Sequence, residues 1–138
     1  MSIYTHRIQY YETDRMGITH HSNYIRFMEE ARVEFLKEIG FDYAKLEEEG
    51  IVSPVTEVEC SFKKTTTFGD LLQIEVRVEE ITGVRFRFSY HMQKEDGTFV
   101  AEGHSGHCFL NEKGFPIRIN RDYPEFYETL SQLKNTRD

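Results

Sequence analysis

Polar residues with the potential for catalysis cluster in residues 10–24, which read YYETDRMGITHHSNY. An aspartate such as Asp14 is ionised at neutral pH, and a carboxylate can attack a carbonyl carbon or take a proton from water. His20 and His21 follow, immediately before an amphipathic segment. The first N–H groups of a helix lack partners within the helix and favour negative charge. The segment therefore predicts a catalytic carboxylate directed at the N-terminus of a helix.

The same residues also fit a simpler interpretation, a turn followed by a helix cap. Ser22 or Asn23 is of the type that caps a first helical turn. Gly17 permits a positive φ angle or a close approach of the backbone. The residue types alone leave both interpretations open.

The segment that follows has the hydrophobic period of an amphipathic helix. This helix is predicted to begin at residue 22 or 23 and to end at about residue 39, before Gly40. A second, short helix is predicted over 43–49, with Asp42 as its cap and Gly50 at its end. The apolar positions of the long helix are Tyr24, Phe27, Met28, Ala31, Phe35 and Ile39.

A period of two residues, typical of half-buried strands, marks most of the remaining chain. Strands are predicted over about 3–11 and then around 58–62, 72–78, 84–92 and 99–110. The connections TTTFGD, TG and KEDGT are short enough to join antiparallel neighbours. A final helix is predicted from Pro124 to about Leu133. The predicted fold class is α+β, with one long helix packed on a curled antiparallel sheet of about five strands, in a single domain over 1–138.

The composition excludes several classes of protein. A chain with 38% hydrophobic and 14% aromatic residues is too apolar for disorder. The net charge of −7 argues against a nucleic-acid or anionic-membrane partner, because those surfaces attract clustered cations. No apolar run approaches the roughly 20 residues of a transmembrane helix, and residues 1–12 lack the apolar centre of a secretory signal. We therefore expect a cytoplasmic protein, with Cys60 and Cys108 as reduced thiols in the core.

The order of these motifs resembles the hotdog-fold acyl-CoA thioesterases of the 4-hydroxybenzoyl-CoA thioesterase type. The family pattern combines a tyrosine, Thr-Asp, a glycine, a histidine and a further tyrosine with a helix that carries Glu-x-Ala/Gly-Arg. The segment KKTTTFGDLL resembles the family's turn that ends in Gly-Asp, although the family often has a proline before that dipeptide. The segment VAEGHSGHCFLNEKGFPIRI resembles its last strand, so the likeness covers roughly residues 3 to 120. The matching residues are Tyr10, Thr13, Asp14, Gly17, His21, Asn23, Tyr24, Glu30, Ala31 and Arg32.

The resemblance implies a hotdog fold, a homodimer or homotetramer with active sites between subunits, and hydrolysis of an acyl-CoA thioester without a metal or bound cofactor. It assigns Asp14 as nucleophile or general base, and the backbone N–H of His21 as the group that polarises the carbonyl. The His21 side chain is a further candidate for orienting substrate or water. Tyr10 is expected to shape the pocket beside the aspartate, and Gly17 and Tyr24 to contribute to substrate binding.

Coenzyme A carries phosphates, so cations are expected along its approach. Lys63, Lys64, Arg85 and Arg87 are candidates by residue type, although solvated charges on a strand face are the simpler interpretation. The last predicted strand contains His104-x-x-His107, but these side chains should point to opposite faces, which does not favour a metal site. No Gly-x-Ser-x-Gly motif supports a serine triad.

Several functions share this sequence pattern. The leading hypothesis is an acyl-CoA thioesterase, and the first alternative is a thioesterase that acts on an acyl carrier protein. A hotdog dehydratase and a non-catalytic acyl-CoA-binding protein are further alternatives. The length of the acyl group and its aliphatic or aromatic character stay open.

Overall fold

The computed structural model describes residues 3–135, which contain five β-strands, four α-helices and one 3₁₀ turn over Tyr10–Glu12. The predicted order of elements is confirmed, although the first strand is shorter than predicted and helix α3 was not predicted. The elements are β1 Ile3–Arg7, α1 Ser22–Glu38, α2 Tyr43–Glu48, β2 Val55–Phe62, β3 Leu71–Ile81, β4 Arg85–Lys94, β5 Phe99–Cys108, α3 Ile119–Asp122 and α4 Pro124–Asn135. No helix among residues 3–135 is long and apolar enough to cross a membrane.

Helix α1 buries the apolar stripe that its period predicts, including Phe27, Met28 and Ala31. It ends before Gly40, whose φ of 93° is readily adopted only by glycine. It begins at Ser22, as predicted. The predicted cap by Ser22 or Asn23 differs, because the N–H of Ser22 donates to the ring Nδ1 of His20 at 3.2 Å and the Asn23 amide donates to the Glu12 carbonyl. Asp42 caps α2 as predicted, by accepting from Ala44 N–H at 2.9 Å.

The five strands form one sheet in the order β1-β3-β4-β5-β2. Strand β1 pairs with β3 in antiparallel register, with Ile3 opposite Glu75. Two of the three predicted connections, TG and KEDGT, do join neighbouring strands. The prediction for TTTFGD was wrong, because β2 lies beside β5 and not beside β3. Long-range bonds set this placement: the N–H groups of Lys63 and Lys64 both donate to the carbonyl of Val100, at 2.7 and 3.1 Å.

Strand β2 is more exposed than its alternating pattern predicts. Val58 is 39% exposed and Phe62 is 50% exposed. The strand lies at the edge of the sheet, so its side chains have neighbours on one flank only.

Contacts group the described residues into two compact units, each with its own apolar core. The first unit contains residues 3–35, 59–76 and 90–103. Gly103 of β5 allows Met28 of α1 to approach, because a Cβ atom at this position would overlap the Met28 sulfur. The buried apolar residues of this unit are Ile8, Tyr24, Phe27, Met28, Ala31, Phe35, Leu72, Ile74, Val76, Tyr90, Met92, Val100 and Ala101.

The second unit contains residues 36–58, 77–89 and 104–135. Its core is a cluster of aromatic rings, in which Phe86, Phe109 and Phe126 lie 5.0–5.2 Å apart between centroids. Edge-to-face and tilted contacts of this kind stabilise aromatic cores. Leu36, Val78, Phe88, Ile119 and Leu130 complete the packing. That the chain is one domain over 1–138 stays a prediction.

The two cysteines, Cys60 and Cys108, are free thiols, as predicted. Both are half-buried, so the prediction that they belong to the core was wrong. Burial raises the pKa of Cys60 to about 11 and also raises the pKa of Cys108. Each thiol is therefore held in its protonated form near neutral pH.

Candidate active site

The loop between β1 and α1 is a tight hairpin that holds Asp14. Thr13 and Thr19 pair as an antiparallel bridge. Inside this bridge, Asp14 N–H donates to the Ile18 carbonyl at 2.8 Å, and Gly17 N–H donates to the Asp14 carbonyl at 2.9 Å. Gly17 has a φ of 80°, which confirms the positive φ predicted there. The backbone of Asp14 is thus fixed on both sides.

The carboxylate of Asp14 is half-buried and is itself held in place. Its Oδ1 atom accepts a hydrogen bond from Met16 N–H at 2.8 Å. Within residues 3–135 no lysine, arginine or histidine forms an ion pair with Asp14. The charge is therefore not neutralised by a side chain, and a carboxylate in this state is available as a nucleophile or a base.

His20 and His21 lie at the junction of this loop with α1. Their rings stack with centroids 4.3 Å apart, and both residues are exposed. The N–H of His21 takes part in none of the hydrogen bonds formed among residues 3–135, whereas its carbonyl accepts from Tyr24 N–H at 3.2 Å. An unused N–H at the start of a helix can donate to a developing oxyanion.

Glu12 is a buried carboxylate, 6% exposed, in the chain that enters the loop. Its side chain accepts from Gln9 N–H at 2.7 Å and lies 2.9 Å from Nε2 of His6. Its carbonyl accepts from His20 N–H at 2.8 Å and from the side-chain amide of Asn23 at 3.0 Å. Glu12 therefore joins β1, the chain that enters the loop and the first turn of α1.

Buried hydroxyl groups tie the loop to the segment before β3. The hydroxyl of Thr66 lies 2.6 Å from that of Thr19 and 2.9 Å from that of Tyr24. The hydroxyl of Thr67 donates to the Gly17 carbonyl at 2.8 Å. Tyr24 is 3% exposed, so in the isolated chain it supports Thr66 from within the core. Its predicted contact with substrate stays a prediction.

Three more of the predicted site residues lie in the same unit as Asp14. Tyr10 is 75% exposed and meets Phe68 edge to face, with centroids 5.7 Å apart. Lys63 and Lys64 follow β2, and both are exposed. Their side chains are thus free to meet an anion from solvent.

The two arginine candidates belong to the second unit. Arg85 is exposed at the start of β4, and its part in binding stays a prediction. Arg87 forms ion pairs with Glu57 and, at 2.8 Å, with Glu79. These two carboxylates neutralise Arg87, which makes it the weaker candidate for a phosphate.

The histidines of β5 point to opposite faces, as predicted. His104 Nδ1 lies 2.5 Å from the Glu79 carboxylate. His107 is buried, with Nε2 2.7 Å from the hydroxyl of Ser105. Among residues 3–135, no three side chains of His, Cys, Asp or Glu are grouped so as to hold a metal ion.

Sequence reasoning missed Glu12, Thr66 and Thr67 as parts of this site. Glu12 gives one signal in the sequence, because it lies between a predicted strand and a turn, close to His6. A glutamate that is buried there needs a polar partner, and His6 is near enough in the chain to be one. The two threonines give no local signal, because their partners lie 42–50 positions away.

Comparison with known proteins identifies the family. Residues 8–128 match the family model described as the Thioesterase-like superfamily. The chain belongs to this superfamily. The predicted α+β hotdog fold and the predicted class of enzyme, a thioester hydrolase, are confirmed at this level.

Named relatives of this thioesterase cover nearly its whole length. A Bacillus subtilis (strain 168) protein with the provisional name acyl-CoA thioesterase YneP is 30% identical over 128 residues, which are 92% of this chain and 93% of that protein. The crystal structure of a DHNA-CoA thioesterase from Staphylococcus aureus is 31% identical, with a TM-score of 0.92, over 97% of this chain and 91% of that one. A solved gentisyl-coenzyme A thioesterase is 32% identical, with a TM-score of 0.77, over 84% of this chain and 93% of that one.

Proposed function

We propose that the chain is an acyl-CoA thioesterase, which hydrolyses a coenzyme A thioester to a free carboxylic acid and CoA. The observation that carries the proposal is Asp14. Its carboxylate is fixed by Met16 N–H at 2.8 Å and has no cationic partner among residues 3–135, in the loop that leads into α1. The named relatives support coenzyme A as the carrier of the acyl group.

Two chemical routes use this carboxylate. In the first, an Asp14 oxygen attacks the thioester carbon, the C–S bond breaks and CoA leaves as the thiolate. Water then hydrolyses the mixed anhydride, which restores Asp14 and releases the acid. In the second, Asp14 takes a proton from a water molecule as that water attacks the thioester carbon directly; the C–S bond then breaks, CoA leaves as the thiolate and the acid is released. Both routes need an ionised carboxylate near the thioester carbon, in contact with it in the first and one water molecule away in the second.

Both routes place negative charge on the carbonyl oxygen. The unused N–H of His21 is the donor proposed to hold that charge, at the positive end of α1. A single donor of this type contributes about 3 kcal/mol to the transition state. The phosphates of coenzyme A would meet Lys63 and Lys64, which are exposed in the same unit. We further propose a single domain that assembles as a homodimer or homotetramer.

The proposal is tested with a panel of thioesters. The panel combines aliphatic acyl-CoAs, aromatic acyl-CoAs and an acyl carrier protein loaded with the same acyl groups, and released thiol is followed with a chromogenic reagent. The account predicts turnover of at least one acyl-CoA, and the preferred substrate identifies the acyl group. Turnover of the carrier-protein thioesters alone would move the function to the first alternative. Binding of acyl-CoA without any release of thiol would contradict an enzymatic role.

A further inference from the structure

The region around Glu12 contains more hydrogen bonds than a turn requires. Its carbonyl accepts from two donors, His20 N–H at 2.8 Å and the Asn23 amide at 3.0 Å. Its carboxylate accepts from Gln9 N–H at 2.7 Å and contacts His6 Nε2 through both oxygens, at 2.9 and 3.2 Å. A carboxylate that is 6% exposed is costly unless such partners are present.

The position of Glu12 in the chain gives these bonds a consequence for chemistry. Glu12 is two residues before Asp14, and its partner His20 is one residue before His21. The Glu12 carbonyl therefore fixes the separation between the candidate nucleophile and the candidate oxyanion donor. The carboxylate in turn fixes Glu12 itself against β1 through His6.

We propose that Glu12 is a positioning residue for the hydrolysis, and that Asn23 acts with it on the same carbonyl. The inference rests on the proposed function, since it concerns the geometry of Asp14 relative to His21. Neither residue needs to touch the substrate. Their bonds set the distance across which the substrate carbonyl must fit, and small errors in such distances cost rate rather than binding.

A neighbouring carboxylate supplies a matched control. Glu30 Oε1 lies 3.4 Å from the other ring nitrogen of His6, so Glu12 and Glu30 both face this histidine. Glu30 accepts a hydrogen bond from the Tyr4 hydroxyl at 2.6 Å and is exposed on α1. Replacing either glutamate by glutamine removes one charge beside His6. Only Glu12, however, also bonds through its carbonyl to His20 in the loop and to Asn23 in the first turn of α1.

The experiment compares Glu12→Gln, Asn23→Ala, their double variant, Glu30→Gln and Asp14→Asn, with the best acyl-CoA as substrate and far below each melting temperature. We expect Glu12→Gln and Asn23→Ala each to lower kcat by about tenfold or more and to change KM by less than about threefold. Because both variants act on one carbonyl, the double variant should lose less than the product of the two single losses. Glu30→Gln should retain kcat within about twofold.

Each other outcome overturns the inference. If Glu12→Gln and Asn23→Ala melt at lower temperature but retain kcat, their role is structural only. If Glu30→Gln loses as much as Glu12→Gln, the charge beside His6 matters and the position of Glu12 does not. If Glu12→Gln does not fold, Asn23→Ala decides alone, since Asn23 lies in the half-exposed first turn of α1. Loss of activity in Asp14→Asn alone would leave the proposed function intact and refute this inference. An active Asp14→Asn enzyme would refute the role of Asp14 and this inference with it, whereas a wild type that hydrolyses no acyl-CoA would refute the proposed function.

Discussion

The hydroxyl of Thr67 donates a hydrogen bond of 2.8 Å to the carbonyl of Gly17, although the two residues are 50 positions apart. Beside it, the Thr66 carbonyl accepts from Thr19 N–H at 2.9 Å. The Asp14 loop is therefore held from outside as well as by its own turn. These threonines belong to the TTTFGD segment. Hydrogen bonds from this segment therefore anchor the loop.

Thr66→Val should destabilise the protein. The substitution keeps the shape of the side chain but removes the hydroxyl that Thr19 and Tyr24 share, and the Thr19 hydroxyl then keeps its longer bond of 3.3 Å to the carbonyl of residue 66. Loss of a buried hydrogen-bond partner of this kind costs about 1–3 kcal/mol. The free energy of unfolding in urea measures the effect. Thr66→Ser, which retains the hydroxyl, should lower the free energy of unfolding by less. Thr65→Val, at the neighbouring exposed threonine, should have little effect on it. Equal stability of Thr66→Val and Thr65→Val would contradict this role.

Lys63→Glu and Lys64→Glu should each raise KM for acyl-CoA by about threefold with little change in kcat, as expected for exposed charges that meet a phosphate. The effect should shrink as salt is added, because exposed charges are screened. Initial rates at low and high ionic strength measure it. Lys113→Glu makes the same change of charge at an exposed lysine of the second unit and serves as the control. A similar KM in all three variants would exclude Lys63 and Lys64 from coenzyme A binding.

Cys60 should react slowly with thiol reagents at pH 8. Burial raises its pKa from 9.0 to about 11, so the fraction of reactive thiolate is about a hundredfold lower than in the unfolded chain. The raised pKa favours the protonated thiol in the folded state, so this contribution to stability is present below pH 9.0 and is lost as the pH rises toward about 11. Labelling of a Cys108→Ala variant, native and in urea, measures the rate. Equal rates in both states would contradict the burial of Cys60.

Much of the fold could be predicted because local patterns determine it. The period of α1, the cap at Asp42 and the alternation in β3 and β4 are each recorded in adjacent residues. The strand that lies beside β2 could not be predicted in this way. Alternation shows that a strand has two faces, but it does not show which strand is its neighbour in the sheet. Its exposure at the edge of the sheet follows from that pairing and was missed with it.

The candidate site divides in the same way. Asp14, Gly17 and His21 lie within eight residues, so a motif brings them to notice together. Glu12 and Thr66 act through hydrogen bonds to distant or backbone partners, and backbone partners leave no trace in the identity of a residue. The candidate residues were therefore visible in the sequence, but the bonds that hold them in place were visible only in the structure.

The central claim is that hydrolysis depends on the Asp14 carboxylate, and one comparison tests it most directly. Asp14 and Asp42 both precede a helix, and each accepts a hydrogen bond from the N–H two residues later, at 2.8 and 2.9 Å. Asparagine can make the same bond but is neither a nucleophile nor a base. We predict that Asp14→Asn retains the melting temperature of the wild type and loses about a thousandfold in kcat/KM for acyl-CoA. Asp42→Asn should retain kcat/KM within about twofold. Turnover by Asp14→Asn within a few-fold of the wild type would contradict the account.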